Sequence, residues 1–438
     1  MRKQAVILAG GKGLRLRELL GDLPKPMAII GGKPVLEHQV ELAKNHGFEE
    51  ILLLTGYAAC KIENHFQDGR RWGVRIRYQV ENQPLGTAGA VMSVLESLPE
   101  VFLVLYGDTM PHVALNRIWK FHEQRDADIT LLVHPNDHPH DSDLIELDEA
   151  GMVKSFHPYP HDPASYHNNL VNAGLYVVNK RALPPWTGRP VKMDFATELF
   201  PALLRQGKRL LGYSSREYIK DIGTPARLAQ VEADWQRGKI HSLSLDRLCP
   251  AIFLDRDGTL NIERNRITRV EQLQLIPGAG EAVRRINQAG VLAVVATNQP
   301  VVARGEVSEA QLRLIHNKLE NLLGDCGAFL NGIYWCPHHP DRGFPGERPE
   351  LKQDCACRKP APGLIHRAAA ELGIDLARSW LIGDSTTDIR TARNAGLQAA
   401  LVRTGLAGRD GRYPDVPDGE FSDLPEAVDF VLNQMAIV

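Results

Sequence analysis

The chain has 438 residues, of which 43% are hydrophobic and 24% charged, and its formal net charge at pH 7 is −2. A soluble globular protein of this length is expected to form two or three domains. Lysine and arginine are spread along the sequence, which argues against nucleic acid as a partner because such binding needs a concentrated basic surface. Because no run approaches the roughly 20 apolar residues of a membrane span, we expect a cytoplasmic protein without a membrane partner.

Short apolar runs alternate with helical patterns through the N-terminal half of the chain. Residues 6–8, 51–54 and 101–105 predict buried strands, and residues 35–46 have the apolar spacing of a helix. This alternation is typical of an α/β fold with a parallel sheet. A second series of the same kind begins with a predicted strand at 251–254. The sequence therefore predicts two doubly wound α/β domains.

A glycine-rich turn follows the first predicted strand and contains Gly11 and Gly13. Backbone N–H groups in such a turn can approach a polyphosphate, although an ordinary connection between a strand and a helix explains the glycines equally well. Two cations follow, Arg15 just beyond the turn and Lys25 between two prolines. A glycine loop with two cations suits a triphosphate, whose charge must be neutralised.

Carboxylates follow two later strands of the same half, at Asp108 and Asp221. Ligands of open α/β sheets bind at such strand ends, and Mg²⁺ prefers one or two carboxylates together with substrate phosphates. With a second glycine-rich loop at 83–90, this set resembles the sugar-1-phosphate nucleotidyltransferases over residues 1–237. The resemblance implies that Gly11, Gly13, Arg15 and Lys25 hold phosphates, Gln83 and Gly89 line the base pocket, Asp108 and Asp221 bind Mg²⁺, and Asn172 and Gly174 contact the sugar.

Two positions depart from that family's pattern. Leu14 stands where the family usually has threonine, and residues 156–160 read Phe-His-Pro-Tyr-Pro where it often has Phe-x-Glu-Lys-Pro. Both charged positions of that segment are lost, so the sugar-phosphate contacts of this half are left open. An alternative interpretation is therefore a sugar-nucleotide-binding module without catalytic activity.

The pair Asp255-x-Asp257 ends the first strand of the second half. Two carboxylates this close need a cation or a shared proton, and the pair suits nucleophilic attack by one acid and proton transfer by the other. Later strands end at Thr297-Asn298-Gln299 and at Gly383-Asp384, and Lys359 lies in the loop region between them. In this order the motifs resemble the haloacid dehalogenase superfamily of phosphatases over residues 250 to about 405.

That resemblance assigns a role to each acid. It implies Asp255 as nucleophile and Asp257 as general acid and then base. Thr297 and Lys359 would bind the phosphoryl group. Mg²⁺ would be held by Asp255, Asp384 and the backbone carbonyl of Asp257, with Asp388 supporting them.

Four soft ligands lie in the long polar segment at 337–362 and just before it: Cys336, His338, Cys355 and Cys357. Three thiolates and one imidazole match a structural zinc site, which would order a loop otherwise without a core. The surrounding sequence is similar to the heptose-bisphosphate phosphatases, with the histidinol-phosphate phosphatases as nearest relatives.

Taken together, the motifs predict a nucleotidyltransferase domain at 1–238, a linker at 239–248 and a phosphatase domain at 249–438. The favoured interpretation is a bifunctional enzyme of nucleotide-activated heptose biosynthesis that removes the 7-phosphate of D-glycero-D-manno-heptose 1,7-bisphosphate and transfers a nucleotidyl group from GTP to heptose 1-phosphate. A hexose phosphate or histidinol phosphate as substrate is the alternative. The sequence leaves nucleobase, sugar, anomer and oligomeric state open, a homo-oligomer included.

Overall fold

The computed structural model describes residues 3–11, 13–162, 164–185, 188 and 191–436, so Lys12 of the glycine turn lies outside the described residues. The chain forms two compact units. One comprises Met1–His134, Asp143–Pro158 and Val171–Leu245, and the other Pro135–Ser142, Tyr159–Leu170 and Asp246–Val438. Among the described residues, no helix is long and apolar enough to cross a membrane.

In the part of the first unit that the structure describes, thirteen strands form three sheets. They are β1 (Lys3–Ala9), β2 (Ile29–Ile30), β3 (Lys33–Pro34), β4 (Phe48–Thr55), β5 (Arg75–Val80), β6 (Val101–Tyr106), β7 (Thr109–His112), β8 (Ile129–His134), β9 (Leu144–Leu147), β10 (Val153–His157), β11 (Val171–Asn179), β12 (Leu210–Ser214) and β13 (Tyr218–Asp221). The large sheet has the order β10-β9-β11-β6-β1-β4-β5, with β8 beside β11 and β12 beside β8. Strands β4 and β6 flank β1 in parallel, whereas β11 runs antiparallel to β6.

Helices cover this sheet and complete the core of the first unit. They are α1 (Arg17–Leu20), α2 (Val35–Asn45), α3 (Ala59–Phe66), α4 (Gly86–Ser93), α5 (Leu115–Arg125), α6 (Phe200–Arg205), α7 (Pro225–Gln236) and α8 (Lys239–Ser242). Strands β1, β4 and β6 and helix α2 confirm the elements predicted from apolar spacing. Helix α8 lies within the residues predicted as a linker, and its Ile240 is buried beside Val231. The linker boundaries remain a prediction.

The second unit has one parallel sheet in the order β16-β15-β14-β17-β18-β19. Its strands are β14 (Ala251–Leu254), β15 (Leu292–Asn298), β16 (Gly332–Cys336), β17 (Trp380–Gly383), β18 (Gln398–Val402) and β19 (Gly419–Phe421), and its helices are α9 (Ala279–Gln288), α10 (Glu309–Asp325), α11 (Gly363–Leu372), α12 (Thr386–Ala395) and α13 (Leu424–Ala436). Successive strands are added on one side of β14 and then on the other. Ligands of such sheets bind at this reversal, outside the carboxyl ends of the strands.

Two short segments that precede Val171 in the sequence belong to the second unit and pack on α10. The Nδ2 atoms of Asn317 and Asn321 donate to the carbonyl oxygens of Tyr166 and His167 at 3.1 and 2.7 Å. The backbone N–H of Asn169 donates to Glu320 at 3.2 Å. Residues that precede Val171 in the sequence therefore cover part of α10.

Candidate active sites

Asp255 lies directly after β14 and is paired with a buried lysine. The Nζ of Lys359 is 2.9 Å from Oδ1 of Asp255 and donates to Oδ1 of Asp388 at 2.6 Å. Burial raises the pKa of Asp255 to about 6, and the ammonium group opposes that shift. Burial lowers the pKa of Lys359, but the two carboxylates outweigh it and raise the pKa above its ordinary value. The lysine is therefore a fixed cation beside the predicted nucleophile.

Three carboxylates meet at this edge of the sheet, because oxygens of Asp255, Asp384 and Asp388 lie within 4.8 Å of one another. Burial and the two neighbouring acids raise the pKa of Asp384 to about 8. Asp388 is engaged on both oxygens, since Oδ2 accepts from Ser385 Oγ at 2.6 Å and Oδ1 from Lys359. Hard oxygen ligands in this number suit Mg²⁺, and a divalent cation would relieve their mutual repulsion. Asp255 and Asp384 are better placed as its ligands than Asp388.

Gly258 makes room for the Asp384 carboxylate. Its φ of +79° lies in the left-handed region, and a Cβ at this position would collide with the carboxylate of Asp384. A side chain here would therefore be strained and would displace a proposed metal ligand.

Asp257, the predicted acid and base, is held by three side chains to which the sequence analysis gave no role. The fully buried Arg256 donates from Nη2 to both carboxylate oxygens, at 2.9 and 2.8 Å. Asn261 Nδ2 donates to Oδ1 and Gln299 Nε2 to Oδ2, each at 2.9 Å. Burial acts to raise the pKa of Asp257, but Arg256 and the two amides outweigh it and lower the pKa. In the sequence, the position of Arg256 between the two aspartates was the one feature that could have indicated this role.

Thr297 and Lys359 are brought to the same place by β15. Thr297 is buried at the strand end, where its hydroxyl accepts from Gln299 Nε2 at 3.0 Å. The next residue, Asn298, pairs with the backbone of Lys359 in both directions, at 3.0 and 3.1 Å. This amide docks the loop that carries the lysine. The structure thus gathers the predicted phosphatase residues Asp255, Asp257, Thr297, Lys359 and Asp384 at one edge of the sheet.

The four predicted soft ligands form one cluster. The sulfur atoms of Cys336, Cys355 and Cys357 lie 3.3–3.5 Å apart, and Nδ1 of His338 is 3.6 Å from Cys336 Sγ and 3.3 Å from Cys357 Sγ. Tetrahedral zinc with Zn–S distances of about 2.3 Å places its sulfur ligands roughly 3.8 Å apart, so the spacing fits such an ion after a small expansion. His339 points elsewhere, with Nε2 3.2 Å from Arg304 Nη2. Cys357 precedes Lys359 by two residues, which ties the cluster to the phosphatase site.

In the first unit, the predicted cations and carboxylates also converge. Lys25 Nζ donates to Oδ2 of Asp108 at 2.6 Å. A Cβ built at Gly223 would lie 3.5 Å from Lys25 Nζ, 3.6 Å from Arg15 Nη2 and 2.5 Å from Oδ2 of Asp221. Strand β13 brings Asp221 to β7, where the N–H of Ile222 donates to the carbonyl of Asp108 at 2.9 Å. Both predicted metal ligands and both predicted phosphate-binding cations therefore lie at one strand edge.

Arg227 is a further cation at this edge that the sequence analysis did not single out. It lies in the first turn of α7, and its Nη1 donates to Oδ2 of Asp221 at 3.0 Å. The same oxygen accepts the N–H of Gly223 at 2.9 Å. The Asp221 carboxylate is thus fixed in orientation. In the sequence, the position of Arg227 shortly after Asp221 was the feature that could have indicated this contact.

The two residues predicted to contact the sugar lie on β11, which neighbours β6. Gly174 has a φ of +69°, and a Cβ there would lie 2.8 Å from the Tyr106 ring. Its N–H donates to the side-chain oxygen of Asn172 at 3.3 Å. Because Tyr106 ends the strand that leads to Asp108, the predicted sugar contacts lie beside the predicted metal site.

The remaining predicted residues of this half are placed differently. Gly11 and Gln83 are exposed, and Leu14 is 68% exposed. The N–H of Gly89 donates to the carbonyl of Met193 at 3.0 Å, so segment 191–193 covers this glycine. Its predicted role in the base pocket remains a prediction.

Two family models match the chain. One is described as nucleotidyl transferase and matches residues 4–238, and the other is described as HAD-hydrolase-like and matches residues 356–427. The D-glycero-beta-D-manno-heptose-1,7-bisphosphate 7-phosphatase of Yersinia pestis is 39% identical over 188 residues, which are 43% of this chain and 92% of that protein. The D-glycero-D-manno-heptose-1,7-bisphosphate 7-phosphatase of Thermosynechococcus vestitus is 41% identical over 194 residues, 43% of this chain and 97% of that protein.

Solved structures are similar to each half. HddC from Yersinia pseudotuberculosis, complexed with GMP-PN, is 26% identical and covers 53% of this chain and 99% of its own, with a TM-score of 0.45. The D,D-heptose 1,7-bisphosphate phosphatase from B. bronchiseptica, complexed with magnesium and phosphate, is 33% identical and covers 42% of this chain and 99% of its own, with a TM-score of 0.37.

Proposed function

The chain belongs to the nucleotidyl transferase family through residues 4–238 and, through its C-terminal half, to the family of the heptose-bisphosphate 7-phosphatases. We propose that it converts D-glycero-D-manno-heptose 1,7-bisphosphate to a nucleotide-activated heptose in two steps. The phosphatase unit would remove the 7-phosphate, and the transferase unit would then join a nucleotidyl group to the 1-phosphate. The observation that carries the proposal is the buried assembly of Asp255, Lys359 and Asp384, with the Cys/His cluster beside it.

In the phosphatase step, an oxygen of Asp255 attacks the phosphorus and the bond from phosphorus to the C7 oxygen breaks. Asp257 donates a proton to that leaving oxygen, and an aspartyl-phosphate is formed on Asp255. Asp257 then takes a proton from the attacking water, which releases inorganic phosphate and restores Asp255. Because Arg256 keeps the pKa of Asp257 low in the free protein, we infer that the negative charge of the bound phosphate raises this pKa, so that Asp257 takes up a proton from solvent before it donates one.

The other residues of this site bind and orient the phosphoryl group. Lys359 and the Thr297 hydroxyl would contact its oxygens, and Lys359 remains cationic because two carboxylates face it. Asp255, Asp384 and the carbonyl of Asp257 would hold Mg²⁺, which supplies positive charge to the transferring group when bound. The Cys336, His338, Cys355 and Cys357 cluster would hold a structural zinc ion that fixes the lysine loop.

In the transferase step, the 1-phosphate of the sugar attacks the α-phosphorus of a nucleoside triphosphate, and pyrophosphate leaves. Arg15 and Lys25 would neutralise the phosphates, and Asp108 and Asp221 would hold a second Mg²⁺ that screens their charge when bound. GTP is the proposed donor because residues 1–237 resemble the mannose- and heptose-1-phosphate guanylyltransferases. Asn172 would contact the sugar.

The test supplies purified full-length protein with Mg²⁺ and either the heptose bisphosphate or heptose 1-phosphate together with each of four nucleoside triphosphates. Expected products are inorganic phosphate with heptose 1-phosphate in the first reaction, and pyrophosphate with GDP-heptose in the second. A hexose or histidinol phosphate hydrolysed faster than the heptose bisphosphate would overturn the proposed substrate. Absence of pyrophosphate with every donor, together with measurable binding of sugar nucleotides, would instead support a binding module.

A further inference from the structure

His316 is a buried histidine that the proposed chemistry leaves without a role. It lies on α10 and is 6% exposed. Its Nε2 is 3.2 Å from Nη1 of Arg256, the fully buried arginine beside the acid and base Asp257. The histidine therefore lies one side chain away from the group that moves the proton.

The guanidinium of Arg256 is shared between these two partners. Nε and Nη2 donate to the Asp257 carboxylate, at distances from 2.8 to 3.2 Å, while Nη1 faces His316. A guanidinium is planar and its donors form a rigid fork. An acceptor that fixes Nη1 consequently fixes the plane in which the other donors meet Asp257.

His316 is suited to accept that hydrogen bond. Burial and the neighbouring Arg256 cation lower the pKa of His316 to about 3, so the imidazole is uncharged at neutral pH. An uncharged imidazole that accepts at Nε2 carries its proton on Nδ1. The ring of Trp335 lies edge-on to the imidazole at a centroid distance of 6.3 Å.

We propose that His316 is a positioning residue of the phosphatase, which holds Arg256 so that Asp257 is aimed at the leaving oxygen of the sugar. The inference rests on the proposed phosphatase function. It predicts a defect in proton transfer rather than in substrate binding. Replacement of His316 by leucine leaves the buried Nη1 donor without its acceptor, and the guanidinium can then tilt away from Asp257.

The experiment compares His316→Leu, His316→Gln and Glu320→Gln in the full chain. Glutamine places an acceptor oxygen near the position of Nε2. Glu320→Gln lies one turn further along the same helix and contacts Asn169, so it controls for damage to the helix. With the heptose bisphosphate, His316→Leu should lose roughly 10- to 100-fold in kcat with KM within about twofold, a part of what general acid catalysis contributes. His316→Gln should recover most of the loss, and Glu320→Gln should match wild type.

A second substrate separates positioning from structural damage. The nitrophenolate leaving group of p-nitrophenyl phosphate departs without a proton, so its release in a single turnover with excess enzyme should be slowed by less than about threefold in His316→Leu. An equal loss for both substrates, or failure of glutamine to restore kcat, would overturn the inference. If the leucine variant does not fold, His316→Asn replaces it, because the shorter amide cannot reach Nη1. Wild-type protein without phosphatase activity would refute the proposed function itself, whereas a fully active His316→Leu would refute only this inference.

Discussion

The two sites differ in how far their charged side chains are buried in the protein. In the second unit Lys359 is 4% exposed at its side chain and contacts two carboxylates that are 14% and 0% exposed. In the first unit the corresponding pair joins Lys25 to an Asp108 side chain that is 39% exposed, and Arg15 is exposed. An enclosed site suits transfer of a small phosphoryl group to a protein atom. An open edge suits a nucleotide and a sugar that bring their own charges.

The largest expected effect separates the two sites completely. Asp255→Asn removes the nucleophile with little change in volume, so phosphatase activity should fall by on the order of 10⁴-fold or more. Nucleotidyl transfer to heptose 1-phosphate by the same molecules should be unchanged, which makes it the internal control for folding. Steady-state release of phosphate and of pyrophosphate measures both. Full phosphatase activity in this variant would contradict the assignment of Asp255.

The reciprocal variants test the open edge. Asp108→Ala and Asp221→Ala remove the proposed ligands of the ion that screens phosphate charge, so nucleotidyl transfer should fall roughly 10²- to 10³-fold while phosphatase activity stays at the wild-type level. Asp126→Asn is the matched control, because Asp126 is a surface carboxylate with a side chain 76% exposed. Loss of both activities in Asp108→Ala or Asp221→Ala would show that the sites are not separate.

The Cys/His cluster should affect only the enclosed site. We expect about one zinc ion per chain and its loss in Cys355→Ser, with a fall in phosphatase activity of at least about tenfold because Lys359 loses its support. Cys326→Ser, at an exposed cysteine of the same unit, is the control. Elemental analysis and thiol titration give the metal content. Zinc-free protein with freely reactive Cys336, Cys355 and Cys357 would contradict the assignment.

The smallest effect concerns pH and the helix that supports the enclosed site. Burial raises the pKa of Glu320 from 4.5 to about 7, so between these values the folded state keeps a proton that the unfolded state has lost. The free energy of unfolding of wild-type protein should therefore fall as pH rises through this window. In Glu320→Gln that part of the pH dependence should be absent.

The free energy of unfolding of Glu320→Gln relative to wild type should therefore rise between pH 4.5 and 7 and stay constant above pH 7. The total change across this window should be at most about 3 kcal/mol. Calorimetry of the two full-length proteins at several pH values measures this change. A constant difference between pH 4.5 and 7 would show that Glu320 titrates normally in the folded protein.

Much of both sites could be predicted because parallel strands place their carboxyl ends at one edge. Apolar runs located β14 and β15, and the polar residues at the carboxyl ends of these strands, Asp255 and Thr297, then had to lie close together. Lys359 was found through its motif, although a polar loop separates it from any strand. What fixes it, the paired amide of Asn298, is a contact between distant residues that no local pattern indicates.

The residues that sequence analysis missed act through other side chains. His316 lies on a helical face whose spacing predicts only burial, and its contact with Arg256 spans 60 positions of sequence. Similarly, nothing local indicates that Pro135–Ser142 and Tyr159–Leu170 belong to the second unit. The segment Tyr159–Leu170 is held by hydrogen bonds from Asn317 and Asn321 of α10 to backbone carbonyls, which any sequence can supply.

We propose that dephosphorylation precedes nucleotidyl transfer, on the basis of the charges in the first unit. Transfer before dephosphorylation would require the sugar pocket to accept a second dianion, and residues 156–160 lack the lysine that the family resemblance would place near that pocket. Without that lysine the transferase unit offers less positive charge to a second dianion, so we expect it to use heptose 1-phosphate in preference to the bisphosphate. The enclosed site should therefore act first, although it follows in the sequence.

The most direct measurement supplies heptose 1,7-bisphosphate, GTP and Mg²⁺ to wild-type protein and to Asp255→Asn and identifies the products by mass spectrometry. Wild-type protein should accumulate GDP-heptose. The variant should form no sugar nucleotide until heptose 1-phosphate is added, and then as much as wild type. A GDP-heptose 7-phosphate as the main product of the variant would contradict the proposed order, in which dephosphorylation precedes nucleotidyl transfer.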